Sequence, residues 1–149
     1  MITEITIQVR STDMDADGIV NNARYFEYFE QARLEHLVAI GLVKRPRPPG
    51  EPSRSFTIAE TTCRYKAPTR HRDALVVRAW TQQVGNRSFA LGYEIVRSEG
   101  RAVVAEGSSA QVWLDAEGRP APLDDLARTA LVDSLETTFS AGDTTEGLR

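Results

Sequence analysis

A single cysteine, Cys63, stands in the 149 residues, so the chain can form no intrachain disulfide and offers no cysteine pair to a metal. Histidine is equally scarce. His36 and His71 lie far apart, without metal-ligand spacing and without a Gly-x-Ser-x-Gly elbow. No apolar run approaches the roughly 20 residues that a membrane helix needs. The N-terminal MITEITIQVR alternates where a signal peptide would carry a continuous apolar core. These absences lead us to expect a cytoplasmic protein without membrane insertion. Positive charge is not concentrated either: the net charge is −3 and the arginines are scattered, which argues against a nucleic-acid partner. What remains is an ordinary globular composition, 41% hydrophobic and 26% charged, long enough for one buried core. There is no internal repeat and no sign of a second domain. We expect one domain over residues 1–138 and a polar, disordered tail over 139–149.

The chain is organised around Asp13 to Gly41, DMDADGIVNNARYFEYFEQARLEHLVAIG. An acidic turn passes through Ile19-Val20 and an Asn-Asn pair into a long amphipathic pattern. Tyr25, Tyr28, Phe29, Ala32, His36 and Ile40 share one face of a helix, with Arg24, Glu27, Gln31 and Glu35 on the other. Asn21 or Asn22 is the natural N-cap and Gly41 the natural C-cap. Ahead of this stretch, residues 4–10 alternate as a strand. Behind it, KRPRPPGEPSR holds four prolines and a glycine, which forbid regular structure. Period-two patterns then predict strands over 56–65, 74–84, 88–96 and 102–114, linked as hairpins into an antiparallel sheet. Residues 122–136 suggest a short second helix with Leu126, Ala130 and Leu131 on its apolar side.

This order makes an α+β domain: one long helix against a strongly curved, five-stranded antiparallel sheet, plus a short C-terminal helix. One helix cannot cover both faces and the edges of such a sheet, so a second subunit is the economical solution.

Four segments carry a resemblance. DMDADGIVNNARYFEYFEQAR resembles the signature of the 4-hydroxybenzoyl-CoA thioesterase family, which runs Asp-x-Asp-x-x-Gly-x-Val, then x-x-Tyr and a helix with Glu and Arg. RYKAPTRHRD is similar to that family's Tyr-x-x-Pro-x-x-x-x-Asp turn, through Tyr65, Pro68 and Asp73. GNRSF resembles its Gly-x-x-Ser-Phe hairpin, and VWLDAEGRPAP its closing Val-x-x-Asp segment. The likeness implies the hotdog fold, a dimer or tetramer with the site at the subunit interface, and hydrolysis of acyl-CoA or acyl-carrier-protein thioesters without metal or other cofactor. It also implies that Asp15, the second aspartate of the pair, is the catalytic carboxylate. Where many relatives carry His or Tyr just ahead of the Ala-x-Tyr segment, this chain has Asn22.

A thioester is already activated, so a base or nucleophile and one oxyanion donor suffice. Asp15 could activate a water or attack the carbonyl itself. The Asn22 N–H, at the positive end of the helix, is the candidate donor. By residue type alone Asp13, Asp15 and Asp17 read as turn and cap residues before they read as chemistry. The resemblance moves Asp15 to chemistry and leaves Asp13 as a support for the loop. Asp13-x-Asp15-x-Asp17-Gly18 also opens like a calcium loop, but Arg24 stands where that loop requires a bidentate Glu. Tyr25 and Tyr65 are candidates for lining the acyl pocket or for packing. Glu30 and Arg33 can pair along the helix. Arg87, by resemblance, and Arg70 and Arg72 on another loop are candidates for the carrier's phosphates, or for an acidic carrier protein. Cys63 reads as a small hydrophobe and His36 as a packed core residue. A hotdog protein that binds a thioester without hydrolysing it is the alternative that Asn22 keeps open.

Overall fold

Alternation in the first residues builds β1 (Ile2–Gln8) in a computed structural model that describes residues 1–50 and 55–136. The strand starts two residues earlier than its pattern predicts, and Ile7 and Val9 reach the core as expected. After the acidic turn comes α1 (Arg24–Ala39), which buries Tyr25, Tyr28, Phe29, Ala32, His36 and Leu37. Four strands follow: β2 (Phe56–Tyr65), β3 (Ala74–Val84), β4 (Ser88–Arg97) and β5 (Val103–Trp113). A short α2 (Asp125–Asp133) closes the described chain, its N-terminus capped by the Asp124 carboxylate, which accepts the Ala127 N–H at 2.7 Å. The tail expected to be disordered and the last four residues of the proline-rich loop, 51–54, lie outside the described residues.

The strands form one antiparallel sheet in the order β1-β3-β4-β5-β2. Two of the predicted hairpins exist, β3–β4 and β4–β5. The link from β2 to β3 is not a hairpin. β2 pairs with β5 at the far edge, so residues 66–73 carry the chain past two strands. That link crosses the end of the sheet where α1 begins, and its Thr69 carbonyl accepts the Val20 N–H at 2.8 Å. Period-two patterning says which face a residue takes, not which strand it pairs with.

Two local expectations are also corrected. Neither asparagine caps α1 through its side chain in the N-cap position, which Ala23 occupies. Instead Asn21 Oδ1 accepts the Ala23 N–H at 2.9 Å, an Asx turn one step before the helix. Gly41, at φ +84°, does end the helix in the left-handed conformation that glycine adopts without strain. In α2, Leu126 is 86% exposed, and Ala127 and Leu131 are the buried positions.

The helix crosses the inner face of the sheet diagonally. Its first turn lies at the β2 side, where Tyr25 meets Tyr65. Its later turns lie over β1 and β3, where His36 bonds Thr3 and Thr81. Midway, Phe29 stacks on Tyr93 with centroids 4.7 Å apart. The close approach there requires Gly107, where a Cβ would fall 2.3 Å from the Thr62 carbonyl and 2.6 Å from the Phe29 ring.

On the opposite face the register aligns a row of charges across all five strands: Glu4, Arg78, Glu94, Glu106 and Arg64. Arg78 bridges Glu4 at 3.0 Å and Glu94 at 2.8 Å, while Arg64 and Lys66 meet Glu106 at 3.4 and 3.3 Å. Cross-strand pairs of opposite charge favour this register over its neighbours.

Candidate active site at the start of the long helix

The turn before α1 is held from within by a carboxylate that no longer sees water. Asp13 is fully buried. It accepts the Arg10 N–H and the Arg10 guanidinium, each at 2.9 Å, and the Tyr28 hydroxyl at 2.9 Å. Burial alone would raise its pKa, but the hydrogen bonds from Arg10 and Tyr28 outweigh it and hold the carboxyl below its ordinary value. The Tyr28 phenol is raised, by burial first and by this carboxylate second. Asp13 therefore supports the loop, as its sequence context suggests.

Asp15 differs in every respect. It is exposed, and its Oδ1 accepts the N–H groups of Asp17 at 2.8 Å and Ile19 at 3.4 Å. The backbone closes the same turn through Asp15 N–H to the Ile19 carbonyl at 2.8 Å, with Gly18 at φ +78°. One carboxylate oxygen thus fixes the turn, and among the described residues Oδ2 takes no hydrogen bond.

The strand of backbone leaving this turn is pinned on both sides. Val20 bonds Thr69, and Asn21 donates its N–H to the Asp13 carbonyl at 2.9 Å. Tyr65 donates its hydroxyl to the Asn22 carbonyl at 2.9 Å. Asn22 itself is exposed, and among the described residues its own N–H meets no acceptor. A donor of this kind at the start of a 16-residue helix adds to the positive end of the helix dipole.

Tyr25 and Tyr65 stand beside this donor, edge to face, with centroids 5.1 Å apart. Tyr25 is buried and its hydroxyl bonds Thr69 Oγ1 at 2.9 Å, whereas Tyr65 stays 42% exposed. Burial raises both phenols, so both remain protonated donors at neutral pH. Asn22, Tyr25 and Tyr65 are therefore gathered at one end of the sheet, and Asp15 stands in the turn that leads into them.

Arg70 and Arg72 lie at that end too, exposed on the β2–β3 link. The link is clasped by Arg97, which bonds Asp73 at 3.0 Å and the Pro68 carbonyl at 2.7 Å. Arg97 and Thr69 are the residues that sequence reasoning passed over. The one visible signal was their neighbourhood: Thr69 sits inside the Tyr65–Pro68–Asp73 segment. Arg87 is not brought to this group within one chain. It lies exposed in the β3–β4 turn, at the Val84–Phe89 end of the strands, whereas Asp73 and Arg97 mark the other end. An 11-residue strand separates the two ends by about 33 Å.

Among the described residues no group of three or more His, Cys, Asp and Glu side chains sits together as a metal site. Burial pushes the Cys63 thiol up to about 11, so it carries little thiolate at neutral pH. Among the described residues no helix is long and apolar enough to cross a membrane. A cavity of about 490 Å³ opens further along α1, between Glu30, Arg33, Leu34 and Leu37 on the helix, the Leu42–Arg47 loop, and Phe56–Ile58 with Trp113 on the sheet.

One helix laid on an antiparallel sheet of order β1-β3-β4-β5-β2 is the hotdog architecture of thioester-cleaving enzymes. The sequence agrees with that class: the profile of the thioesterase-like superfamily matches residues 9–131, and the chain belongs to this superfamily. The chain is 29% identical over 136 residues to the chloroplastic acyl-acyl carrier protein thioesterase ATL3 of Arabidopsis thaliana, covering 89% of this chain and 68% of that one. It is 28% identical over 142 residues to a 1,4-dihydroxy-2-naphthoyl-CoA hydrolase of Synechococcus, covering 93% and 89% of the two chains. Among solved structures, a Thermus thermophilus thioesterase complexed with coenzyme A and Zn superposes with a TM-score of 0.74 at 26% identity, over 88% of this chain and 92% of that one.

Proposed function

We propose that this enzyme hydrolyses acyl-CoA thioesters at the N-terminus of α1, with Asp15 as base or nucleophile and the Asn22 N–H as oxyanion donor. The observation that carries the reading is the Asn22 N–H, which meets no acceptor among the described residues, on a backbone segment tied down by Tyr65, Thr69 and Asp13. A fixed donor aimed at developing negative charge is worth about 3–4 kcal/mol in acyl transfer. As base, Asp15 takes a proton from water while the water oxygen bonds the thioester carbonyl carbon. The carbon–sulfur bond then breaks and the thiolate leaves, taking up a proton from solvent. As nucleophile, its carboxylate oxygen bonds that carbon, the thiolate leaves, and water cleaves the resulting anhydride. Tyr25 and Tyr65 would flank the acyl group, and Arg70 and Arg72 would meet the phosphates of coenzyme A or an acidic carrier protein. The Asp-x-Asp-x-x-Gly-x-Val turn supports membership of the 4-hydroxybenzoyl-CoA thioesterase family within the superfamily. The lone cysteine is in keeping with a cytoplasmic location.

The proposal includes a homodimer. The outer edge of β2 pairs with nothing among the described residues, and its Ile58 is 38% exposed. Two such edges joined antiparallel would set one copy's α1 N-terminus at the same end as the second copy's β3–β4 turn. That arrangement brings the second copy's Arg87 towards Arg70 and Arg72. Sedimentation of wild type beside Thr61→Pro tests it, because proline removes an edge donor. A monomeric wild type would refute the dimer.

The activity is tested by thiol release from a panel of aliphatic and aromatic acyl-CoAs and acyl-carrier-protein thioesters. Turnover of any of them supports the reading. Binding of acyl-CoA that raises the melting temperature without thiol release would instead make the protein a thioester-binding module.

A further inference from the structure

The cavity beside α1 combines an apolar floor with a basic margin. Leu37, Phe56 and Trp113 supply apolar surface, while Arg33, Lys44, Arg45 and Arg47 line it, with Glu30 the one carboxylate among the described lining residues. In a chain of net charge −3, three arginines against one carboxylate among the described lining residues is a local reversal of sign. The cations come from two separate walls, the helix and the loop that follows it, so their field converges on the space between. Arg33 is held inward, its guanidinium donating to the Tyr93 hydroxyl at 3.4 Å rather than pairing along the helix with Glu30. Tyr93 in turn bonds Ser109 at 2.6 Å, which fixes the phenol that Arg33 meets.

We infer that this cavity receives the far end of the acyl group and that this end is anionic, such as the free carboxylate of a dicarboxylic half-thioester. The inference rests on the proposed hydrolysis at Asn22. Arg33 lies nine residues beyond Arg24, about 14 Å along the helix from its first turn. A medium-length chain with its carbonyl at the Asn22 N–H therefore has the length to set its far end among the arginines. A neutral alkyl end would offer the half-buried Arg33 no anionic partner, whereas a carboxylate gives it, and the exposed Arg45 and Arg47, a charge-assisted one.

Two ester probes isolate the far end: monomethyl decanedioate carries a carboxylate there and methyl decanoate carries none. Titration is followed by tryptophan fluorescence, in wild type and in Trp113→Phe. Arg33→Leu and the exposed-loop pair Arg45→Ser/Arg47→Ser are compared, each checked for an unchanged circular dichroism spectrum. We expect the acid ester to change Trp113 emission and to bind about tenfold more weakly in the arginine variants. Thiol release from decanedioyl-CoA should likewise exceed that from decanoyl-CoA, with the preference reduced in the same variants. Equal binding of the two esters, or no Trp113 response to either, overturns the inference. Equal cleavage of the two CoA esters, unaltered by the variants, also overturns it. If the acid ester binds as expected while neither CoA ester yields thiol, the cavity assignment stands and hydrolysis at Asn22 is what fails.

Discussion

The Tyr65 hydroxyl donates to the Asn22 carbonyl at 2.9 Å, tying the last residue of β2 to the backbone just ahead of α1. The bond spans 43 residues of sequence and sets the position of the proposed oxyanion donor. Replacing Tyr65 by Phe keeps the ring against Tyr25 and removes that tie, along with the hydroxyl's contact to Cys63. At a site this exposed the bond is worth about 0.5–1 kcal/mol. We expect kcat/KM for acyl-CoA to fall about threefold to fivefold, with the melting temperature lowered by no more than about 3 °C. An unchanged kcat/KM would show that Tyr65 does not position the donor.

The strands and the long helix were legible in the sequence because their periods, two and 3.6, record which side chains are buried. Tyr25, Tyr28, Phe29, Ala32 and His36 are all buried as their spacing predicts. Pairing was not legible, since β2 patterns identically whether its partner is β3 or β5. The site was legible in part. Asn22, Tyr25 and Tyr65 come together through the motifs that contain them. Arg97 was not, because its role is to clasp Pro68 and Asp73, a contact across strands that leaves no local trace. The cavity was equally hidden, since Arg33, Arg47 and Trp113 meet only after folding.

Asp13 and Asp15 sit two residues apart and should fail in opposite ways. Asp15→Asn keeps an Oδ1 acceptor for the Asp17 and Ile19 N–H groups, so stability should hold to within about 0.5 kcal/mol. Its thiol-release rate should drop about a hundredfold or more. Asp13→Asn instead removes a buried charge that takes hydrogen bonds from Arg10 and Tyr28. Because Arg10 is largely exposed, its loss should cost about 1.5–3 kcal/mol rather than the penalty of a fully buried pair. Denaturant melts of both variants beside kinetics separate the two roles. Equal loss of stability in both would refute the division.

Gly107 marks the tightest approach of α1 to the sheet. A methyl group there meets the Thr62 carbonyl at 2.3 Å and Phe29 at 2.6 Å, and the first of these is backbone that cannot swing aside. Gly107→Ala should therefore destabilise by about 1–3 kcal/mol, the cost of overpacking. It should also loosen the β2–β5 pairing, where Gly107 lies opposite Cys63. Faster modification of Cys63 by a thiol reagent checks this, and wild-type stability and reactivity would refute it.

His36 makes stability depend on pH. It is fully buried between Thr3 and Thr81, with ring nitrogens 2.8 and 2.9 Å from the two hydroxyls. Burial, and secondarily the N-terminal ammonium, lower its pKa from 6.5 to about 4. The unfolded chain therefore binds a proton at higher pH than the folded chain does. Above pH 6.5 both forms are neutral and the full stability is present. As pH falls through 6.5 towards 4 the unfolded state takes up the proton and stability is lost, by roughly 3 kcal/mol in all. His36→Gln retains a donor and an acceptor without titrating. It should lower stability at neutral pH yet flatten the decline between pH 6.5 and 4. Urea melts of both proteins across that range measure the slope directly, and equal slopes would assign the pH dependence to other groups.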